Sequence, residues 1–316
     1  MALTTQLLHA LWSTAGLNLT WRKTLYRQLC KIESTPDYPF DVNFFGLKYE
    51  GNLNNSIEAN IFFYGAFEKS LLFFMRDTLQ QLNQKTSSST FVDIGANIGQ
   101  HSLFMSNVAD YVIAFEPYKA VSSKLKYHIS LNEITNIILE EIALSDQQEL
   151  LEFFAPTGRN KGIGSFDAST ADKGNVAETK LQLIKGDHYF ERNKPHSIEL
   201  MKIDVEGFEK KVLTGLQNTL KAYRPVLVCE ISYDQQLSFR SSAELRSLLP
   251  DNYELYRFDT RNADGSKARK RGSKAKRTGF YEIIPFEAWR ESGQDDIIAV
   301  PAENVRLIPG LLRKVV

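Results

Sequence analysis

The segment FVDIGANIGQ, at residues 91–100, constrains the fold more than any other part of the chain. Its apolar start leads to Asp93, and glycines follow at positions 95 and 99, which predicts a buried strand, a tight turn and the start of a helix. Dinucleotide-binding turns instead carry G-x-G-x-x-G and place backbone amides against a pyrophosphate. A carboxylate in a D-x-G-x-x-x-G turn would repel a phosphate, so this turn favours a positively charged ligand, such as an aminoacyl group.

Strands and helices alternate after this segment. Apolar runs of strand length are separated by stretches with helical periodicity as far as residue 231. Such alternation predicts a parallel sheet with helices on both faces, and two later apolar runs are expected to close the sheet. The predicted strands are 91–95, 111–115, 137–144, 198–203, 225–231, 253–258 and 297–300, with another short strand at 181–184.

Acidic residues lie at the ends of four predicted strands: Asp93, Glu116, Asp204 with Glu206, and Glu230. Ligands of open α/β sheets bind at the carboxyl ends of the strands, so these acids are expected to converge on a pocket for a cationic, hydroxyl-rich ligand. Glu116 follows Asp93 by about 20 positions, the offset at which an acid reaches ribose hydroxyls in Rossmann-like units.

Composition excludes several classes of protein. Lys and Arg together number 38, as do Asp and Glu, so no overall charge attracts the chain to nucleic acid or to a membrane. The two cysteines, Cys30 and Cys229, are too few for a disulfide framework and show no metal-ligand spacing. We therefore expect a reducing, cytoplasmic location.

The N-terminal segment lacks the features of a membrane span or a signal peptide. Residues 1–21 contain no charged side chain but many polar ones, and no basic start precedes an apolar core. Leucines at helical spacing predict an amphipathic helix that packs on the body or on a second subunit. Contact with a membrane surface is the alternative, and a homo-oligomer stays open.

Four motifs together resemble the FkbM-type family of S-adenosylmethionine-dependent methyltransferases. The resemblance covers about residues 46–304, and the last of its motifs is the most specific. These motifs are VDIGANIG at 92–99, FEP at 115–117, ALSD at 143–146 and MKIDVEGFE at 201–209.

This resemblance implies a Rossmann-like class I methyltransferase fold of the α/β class. The expected sheet is seven-stranded, doubly wound and mostly parallel, with an antiparallel closing strand. The expected domains are a helical extension at 1–40, a methyltransferase domain at 41–305 and a tail at 306–316. Within the domain, lead-in strands and a helix occupy 41–85, and the sheet core occupies 90–305.

The resemblance also implies that S-adenosylmethionine is the methyl donor. Asp93 and the glycine turn would hold its methionine part, Glu116 would accept hydrogen bonds from both ribose hydroxyls, and Ala143 would flank the adenine. Asn132 would contribute from the rim, with a helix C-cap as the alternative. The predicted donor-binding residues are Asp93, Gly95, Asn97, Gly99, Glu116, Pro117, Asn132 and Ala143.

Asp204 and Glu206 are the predicted catalytic residues, because they follow the fourth parallel strand, beside the expected place of the sulfonium. A carboxylate there could take the proton of an alcohol acceptor. In the alternative, Asp204 orients the donor and Glu206 caps the next helix. His101, His188 and His196 are lesser candidates. No metal is predicted, because two carboxylates one residue apart are weak evidence for Mg²⁺.

The predicted function is O-methylation of a hydroxyl on a sugar, a glycan or another natural product, with no nucleic-acid partner. Alternatives are an N- or protein-directed methyltransferase and a non-catalytic nucleoside-binding module. The glycine-rich segment 158–166 predicts a lid. Residues 267–277, with seven basic side chains, predict a solvated loop; the alternative is a patch for a phosphorylated, acidic or lipid-attached acceptor.

Overall fold

The computed structural model describes residues 2–85, 88–156, 164–166, 174–233, 238–262, 266 and 268–311. The chain divides into two compact units, Met1–Phe67 and Glu68–Val316. No described helix combines the length and the apolar character needed to cross a membrane. The domain boundaries at residues 40 and 305 stay predictions.

The first unit contains three helices and one hairpin. Its small core is aromatic, and the ring centroids of Tyr26 and Phe63 lie 5.1 Å apart. Leu3 and Leu7, two of the leucines at helical spacing, are exposed within this unit. The elements are α1 (Ala2–Trp12), α2 (Leu19–Lys31), β1 (Pro39–Phe44), β2 (Leu47–Asn52) and α3 (Ser56–Tyr64).

The second unit contains a large sheet, a small sheet and the helices that cover them. Its strands are β3 (Thr90–Ile94), β4 (Tyr111–Phe115), β5 (Ile137–Glu140), β6 (Ala143–Ser145), β7 (Glu149–Pro156), β8 (Asn175–Lys185), β9 (Leu200–Ile203), β10 (Val226–Ser232), β11 (Tyr253–Phe258), β12 (Ile283–Pro285) and β13 (Gln294–Pro301). Its helices are α4 (Lys69–Leu82), α5 (Gln100–Met105), α6 (Lys119–Leu131), α7 (Gly186–Asn193), α8 (Glu209–Gly215), α9 (Gln217–Tyr223), α10 (Ser242–Ser247) and α11 (Arg269–Thr278), with 3-10 turns at Asn83–Lys85 and Ala302–Leu307.

The large sheet has the order β12-β11-β13-β10-β9-β3-β4-β5. Its five strands from β10 to β5 are parallel, and β13 runs antiparallel to both β10 and β11. Every residue of β3 and β9 is buried, as expected for parallel strands covered on both faces. The strand order reverses between β3 and β9, and this switch point is where ligands bind in such sheets.

The predicted doubly wound α/β fold is confirmed, with one strand more than the seven expected. The additional strand is β12, which pairs antiparallel with β11 at the edge of the sheet. The predicted strand 137–144 is two strands, because β6 leaves the large sheet and joins β8 and β7 in a three-stranded sheet.

The basic segment predicted as a solvated loop is mostly helical. Helix α11 contains six of its seven basic residues, while Lys267 lies outside the described residues. Lys, Arg and Ala favour helix, and Gly279, with φ of 75°, supplies the left-handed C-cap. Only Ala275 of this helix is buried, so the apolar periodicity that would reveal a helix is absent from the sequence.

Candidate active site

An open cleft of about 710 Å³ lies at the carboxyl ends of β3, β4 and β9, at the switch point of the sheet. Its walls combine strand-end acids with aromatic and aliphatic side chains, the composition of a small-molecule site. The lining residues are Ile94, Gly95, Asn97, Phe115, Glu116, Pro117, Tyr118, Val121, Ala143, Leu144, Phe153, Gly164, Phe166, Asp204, Val205, Glu206 and Phe208.

Gly95 allows the turns after β3 and β9 to approach each other closely. Its φ is 83°, and a Cβ added there would overlap the backbone carbonyl oxygen of Asp204. The amide of Asp204 in turn donates to the carbonyl of Ile94 at 3.0 Å. A glycine is therefore required twice, for the left-handed backbone and for the close approach that forms the floor of the cleft.

Glu116 is held rigidly at the end of β4. Its Oε2 accepts a hydrogen bond from the Asn97 amide at 2.9 Å, and its Oε1 accepts one from the Tyr118 amide at 3.0 Å. Burial raises the pKa of Glu116 to about 7, although the hydrogen bonds from the two backbone amides oppose the shift. Each carboxylate oxygen can accept a further hydrogen bond, so the group can take both hydroxyls of a vicinal diol.

Asp93 lies beneath the cleft rather than in its wall. It is fully buried, its Oδ2 accepts a hydrogen bond from the Ser102 hydroxyl at 2.6 Å, and burial raises its pKa. Its predicted contact with the donor stays a prediction. Asp93 supports the floor together with Lys202, a buried lysine of β9 that sequence reasoning missed.

Lys202 binds Asp204, with 2.8 Å between Nζ and Oδ2. Burial acts to lower the pKa of Lys202, but the carboxylates of Asp204 and Asp93 outweigh it and raise that pKa. Burial likewise acts to raise the pKa of Asp204, but the Lys202 ammonium holds it below its usual range. Asp204 is thus an anion at neutral pH. The signal for Lys202 in the sequence is a lone cation inside an apolar strand.

Three carboxylates meet where the cleft ends. Oxygens of Asp204, Glu206 and Glu230 all lie within 4.8 Å of one another, close enough to hold a cation together. Asp204 is already neutralised by Lys202, which weakens the case for a divalent metal at this place. Burial, followed by the charge of Asp204, raises the pKa of Glu230 well above its usual value.

A second cavity, of about 550 Å³, opens beside this carboxylate cluster. Burial raises the pKa of Asp296 to about 7 and that of Glu68 well above its usual value, with neighbouring carboxylates adding to both shifts. Glu230 and Asp296 are direct partners on the antiparallel strands β10 and β13, a pairing that costs stability between like charges. The lining residues are Glu68, Glu230, Phe258, Thr260, Arg261, Gln294, Asp295 and Asp296.

Some of the other predicted site residues line the cleft, and the rest have structural roles. Pro117 and Ala143 line the cleft. Asn132 caps α6, and its Nδ2 donates to the His128 carbonyl at 2.9 Å, which is the alternative role. A Cβ on Gly99 would meet the side chain of Leu125, so this glycine serves the packing of α5 on α6.

The three candidate histidines differ in burial and in their distance from the cavities. His101 is buried, with its Nε2 3.6 Å from Glu68 Oε2, and burial lowers its pKa. His188 and His196 are exposed and line neither cavity. Of the predicted lid, residues 158–163 lie outside the described residues, whereas Gly164 and Phe166 line the cleft.

Glu209 supports the loop that carries Asp204 and Glu206. Its Oε1 accepts hydrogen bonds from the amides of Val205 at 3.1 Å and Gly207 at 3.0 Å. This acid was part of the most specific motif, but no role of its own was predicted for it; the N-cap position of the next helix, which was the alternative for Glu206, is occupied by Phe208. Two acids of that motif therefore face the cleft, and the third fixes their loop.

Comparison with known proteins identifies one family. The family model described as the methyltransferase FkbM domain matches residues 93–258, more than half of the 316 residues. A hexuronic acid methyltransferase of Haloferax volcanii, AglP, is 29% identical over 147 residues, which cover 46% of this chain and 58% of that protein. The chain thus spans less than two thirds of the length of this curated relative.

Two solved structures are among the matches. A methyltransferase FkbM from Methylobacillus flagellatus is 17% identical with a TM-score of 0.36, and the match covers 57% of this chain and 43% of that one. A SAM-dependent methyltransferase from Agrobacterium tumefaciens is 10% identical with a TM-score of 0.42, covering 85% and 72%. The fold assignment rests on the strand order described above.

Proposed function

The chain belongs to the methyltransferase FkbM domain family, and from this premise we propose that it transfers a methyl group from S-adenosylmethionine to a hydroxyl of a sugar or glycan. The observation that carries the proposal is the cleft at the switch point, with Glu116 fixed by two backbone amides. A carboxylate with one free acceptor position on each oxygen suits the ribose diol of the donor.

The remaining walls of the cleft suit the other parts of the donor. Phe153, Phe166 and Ala143 offer apolar faces for the adenine ring, which packs well against such side chains. Asp204, kept anionic by Lys202, offers a negative charge to the sulfonium and ammonium groups. These assignments agree with the roles that the family resemblance implies.

The donor supplies an electrophilic methyl group: the acceptor oxygen forms the new C–O bond as the C–S bond breaks and its electron pair returns to sulfur. The residues of this chain align the two reactants and receive the hydroxyl proton. A base works best when its pKa is near the working pH, so Asp204, with its lowered pKa, fits this task poorly. Asp296 fits it best, because it lines the second cavity opposite Glu230 of the carboxylate cluster and burial raises its pKa to about 7; Glu206 is the alternative.

The polar second cavity supports a hydroxylated acceptor, since it adjoins the carboxylate cluster and is lined mostly by hydrogen-bonding side chains. The similarity to a hexuronic acid methyltransferase supports a carbohydrate in particular. Both observations favour a glycan or sugar over an apolar natural product.

Methyl transfer can be tested with S-adenosylmethionine labelled in its methyl group and a panel of methyl glycosides. We expect label in the carbohydrate that survives mild base, because methyl ethers are stable there and methyl esters are not. Asp296→Asn should lower turnover by roughly 10²–10⁴-fold while S-adenosylhomocysteine still binds. The matched control is Glu291→Gln, which removes an exposed acid outside both cavities and should leave turnover unchanged.

Three results would contradict the proposal. Base-labile label would indicate a carboxyl acceptor, and label on an amine or on protein would indicate the N- or protein-directed alternative. Binding of the donor without transfer to any hydroxylated acceptor would favour the non-catalytic nucleoside-binding module. Full turnover by Asp296→Asn with loss in Glu206→Gln would move the base to Glu206.

A further inference from the structure

The second cavity carries an excess of acidic groups that the donor does not explain. It adjoins the cleft through Glu230, whose carboxylate lies in one cluster with Asp204 and Glu206. The positive charges of the donor are expected on the other side of that cluster, where Asp204 lines the cleft. The acids deeper in the second cavity are therefore available to another ligand.

Only one cation is found among the described residues that line this cavity, and that cation is already paired. Arg261 Nε lies 3.1 Å from Asp295 Oδ1, and Arg290 also binds Asp295, at 2.6 Å. The nearest basic group of β9, Lys202, is bound to Asp204. Three lining carboxylates, Glu68, Glu230 and Asp296, thus have no lysine or arginine within ion-pair distance in the described part of the chain.

His101, which lies next to the cavity-lining Glu68, has a buried ring nitrogen that no described residue satisfies. The residue is only 7% exposed, and its Nε2 has no hydrogen-bond partner among the described residues. This atom lies 3.6 Å from Oε2 of Glu68, a residue that lines the cavity. Burial lowers the pKa of His101, so its ring is neutral and offers no positive charge that would let Glu68 ionise.

A cationic ligand would relieve the repulsion among these acids, whereas an anionic ligand would increase it. Burial and mutual repulsion raise the pKa values of Glu68, Glu230 and Asp296, and a nearby cation would let them ionise. Binding a carboxylate would require all three to stay protonated. The neutral donor Gln294, 3.3 Å from Glu230, adds a contact that suits a hydroxyl.

An ammonium group fits this cavity better than a metal ion. A divalent ion would draw on Asp204, the acid that Lys202 already holds at 2.8 Å. An ammonium anchored by Glu68 and Glu230 needs no rearrangement of that pair. The same acids would keep an amine protonated and thus without a nucleophilic lone pair, which leaves a neighbouring hydroxyl as the reacting group.

We propose that the second cavity is the acceptor chamber and that it selects an amino sugar, whose ammonium group is held by Glu68 and Glu230 while a hydroxyl faces the donor. This inference rests on the proposed methyl transfer and specifies its substrate class. It also predicts that the acceptor differs in charge from the hexuronic acid named for the similar protein of Haloferax volcanii.

Calorimetric titration of the full chain, saturated with S-adenosylhomocysteine, tests the proposal with three matched glycosides. These are the methyl glycosides of glucosamine, glucose and glucuronic acid; each charged glycoside differs from the glucoside in one group, an amine at C2 or a carboxyl at C6. We expect the glucosaminide to bind roughly tenfold or more tighter than the glucoside, and the glucuronoside to bind weakest. Glu230→Gln and Glu68→Gln should each reduce this preference for the ammonium, whereas Glu291→Gln should preserve it.

Equal affinity for the three glycosides, tightest binding of the glucuronoside, or no binding of any of them would overturn the proposal. A preference that persists in both cavity variants would place the ammonium elsewhere and overturn it as well. Binding of S-adenosylhomocysteine, measured first, separates these failures from a failure of the proposed function and shows that each variant is folded. Enhancement of all three affinities by Mg²⁺, without discrimination, would replace the ammonium by a metal.

Discussion

At the scale of single residues, Glu116 is the side chain that we propose recognises the donor. Its carboxylate is nearly enclosed, at 8% exposure, yet lines the cleft with both oxygens fixed by backbone amides. Such a group is poised to accept hydrogen bonds from a diol only when it is ionised. Because burial raises its pKa to about 7, ionisation falls in the range of ordinary assays.

Donor affinity should therefore depend on pH through Glu116. Hydrogen bonds from ribose favour the carboxylate, so binding releases a proton below the pKa of about 7. The affinity for S-adenosylhomocysteine should rise by up to about tenfold per pH unit below that value and level off above it. Calorimetry over a pH series measures this, and Glu116→Gln should show a flat profile. A wild-type profile as flat as that of the variant would contradict the assignment.

The sequence predicted the polar strand-end residues that line the cleft, but only Glu230 among the acids of the second cavity. Asp204, Glu206 and Glu230 could be placed because each follows a predicted parallel strand, and such strand ends share one edge. Glu68 precedes helix α4, and Asp296 lies on the antiparallel strand β13. No local sequence pattern therefore relates these two acids to the acids at the ends of the parallel strands. Only the pairing of β10 with β13 places Asp296 opposite Glu230.

At the scale of elements, the turns after β3 and β9 form one unit around Gly95. The carbonyl of Ile94 accepts the Asp204 amide, and the missing side chain of Gly95 leaves room for the Asp204 carbonyl. Strand pairing and donor site therefore depend on the same contact. The sequence indicated a tight turn at this glycine, but not the second strand that approaches it.

Gly95→Ala should destabilise the protein and weaken the donor site together. The new Cβ would overlap backbone, and a φ of 83° is costly for alanine, so we expect a loss of about 1–3 kcal/mol in the free energy of unfolding. Gly272→Ala is the matched control, since no atom lies within 4 Å of its added Cβ in helix α11. That change should stabilise by about 0.5–1 kcal/mol. Denaturant unfolding of both variants measures the contrast, which a harmless Gly95→Ala would refute.

Sequence patterns predicted some elements of this fold correctly and missed others. Alternating apolar runs predicted the parallel strands correctly because those strands are buried on both faces. Strand β12 is only three residues long, and the break at Glu141 and Ile142 sends β6 into another sheet, so neither has a periodic signal. Helix α11 was missed because it is stabilised by the helix propensity of its residues and by its glycine C-cap, and not by a periodic apolar face.

At the scale of the whole molecule, a net charge of zero conceals strong local fields. The acids of the second cavity are concentrated in one place, and six basic side chains are concentrated on helix α11. Composition gives no reason to expect a general attraction to nucleic acid, and it carries no information on such separation of charge. The topology that creates the separation also creates the two adjoining cavities, both of which are lined entirely by the second unit.

We propose above all that the cleft at the switch point binds the nucleoside of a methyl donor. Calorimetric titration of the full chain with S-adenosylhomocysteine, and separately with NADH, tests it most directly, on the wild type and on Glu116→Ala. We expect that S-adenosylhomocysteine binds, that NADH does not, and that the variant binds S-adenosylhomocysteine at least about tenfold more weakly. Binding of NADH, or an affinity for S-adenosylhomocysteine that does not change in Glu116→Ala, would contradict it.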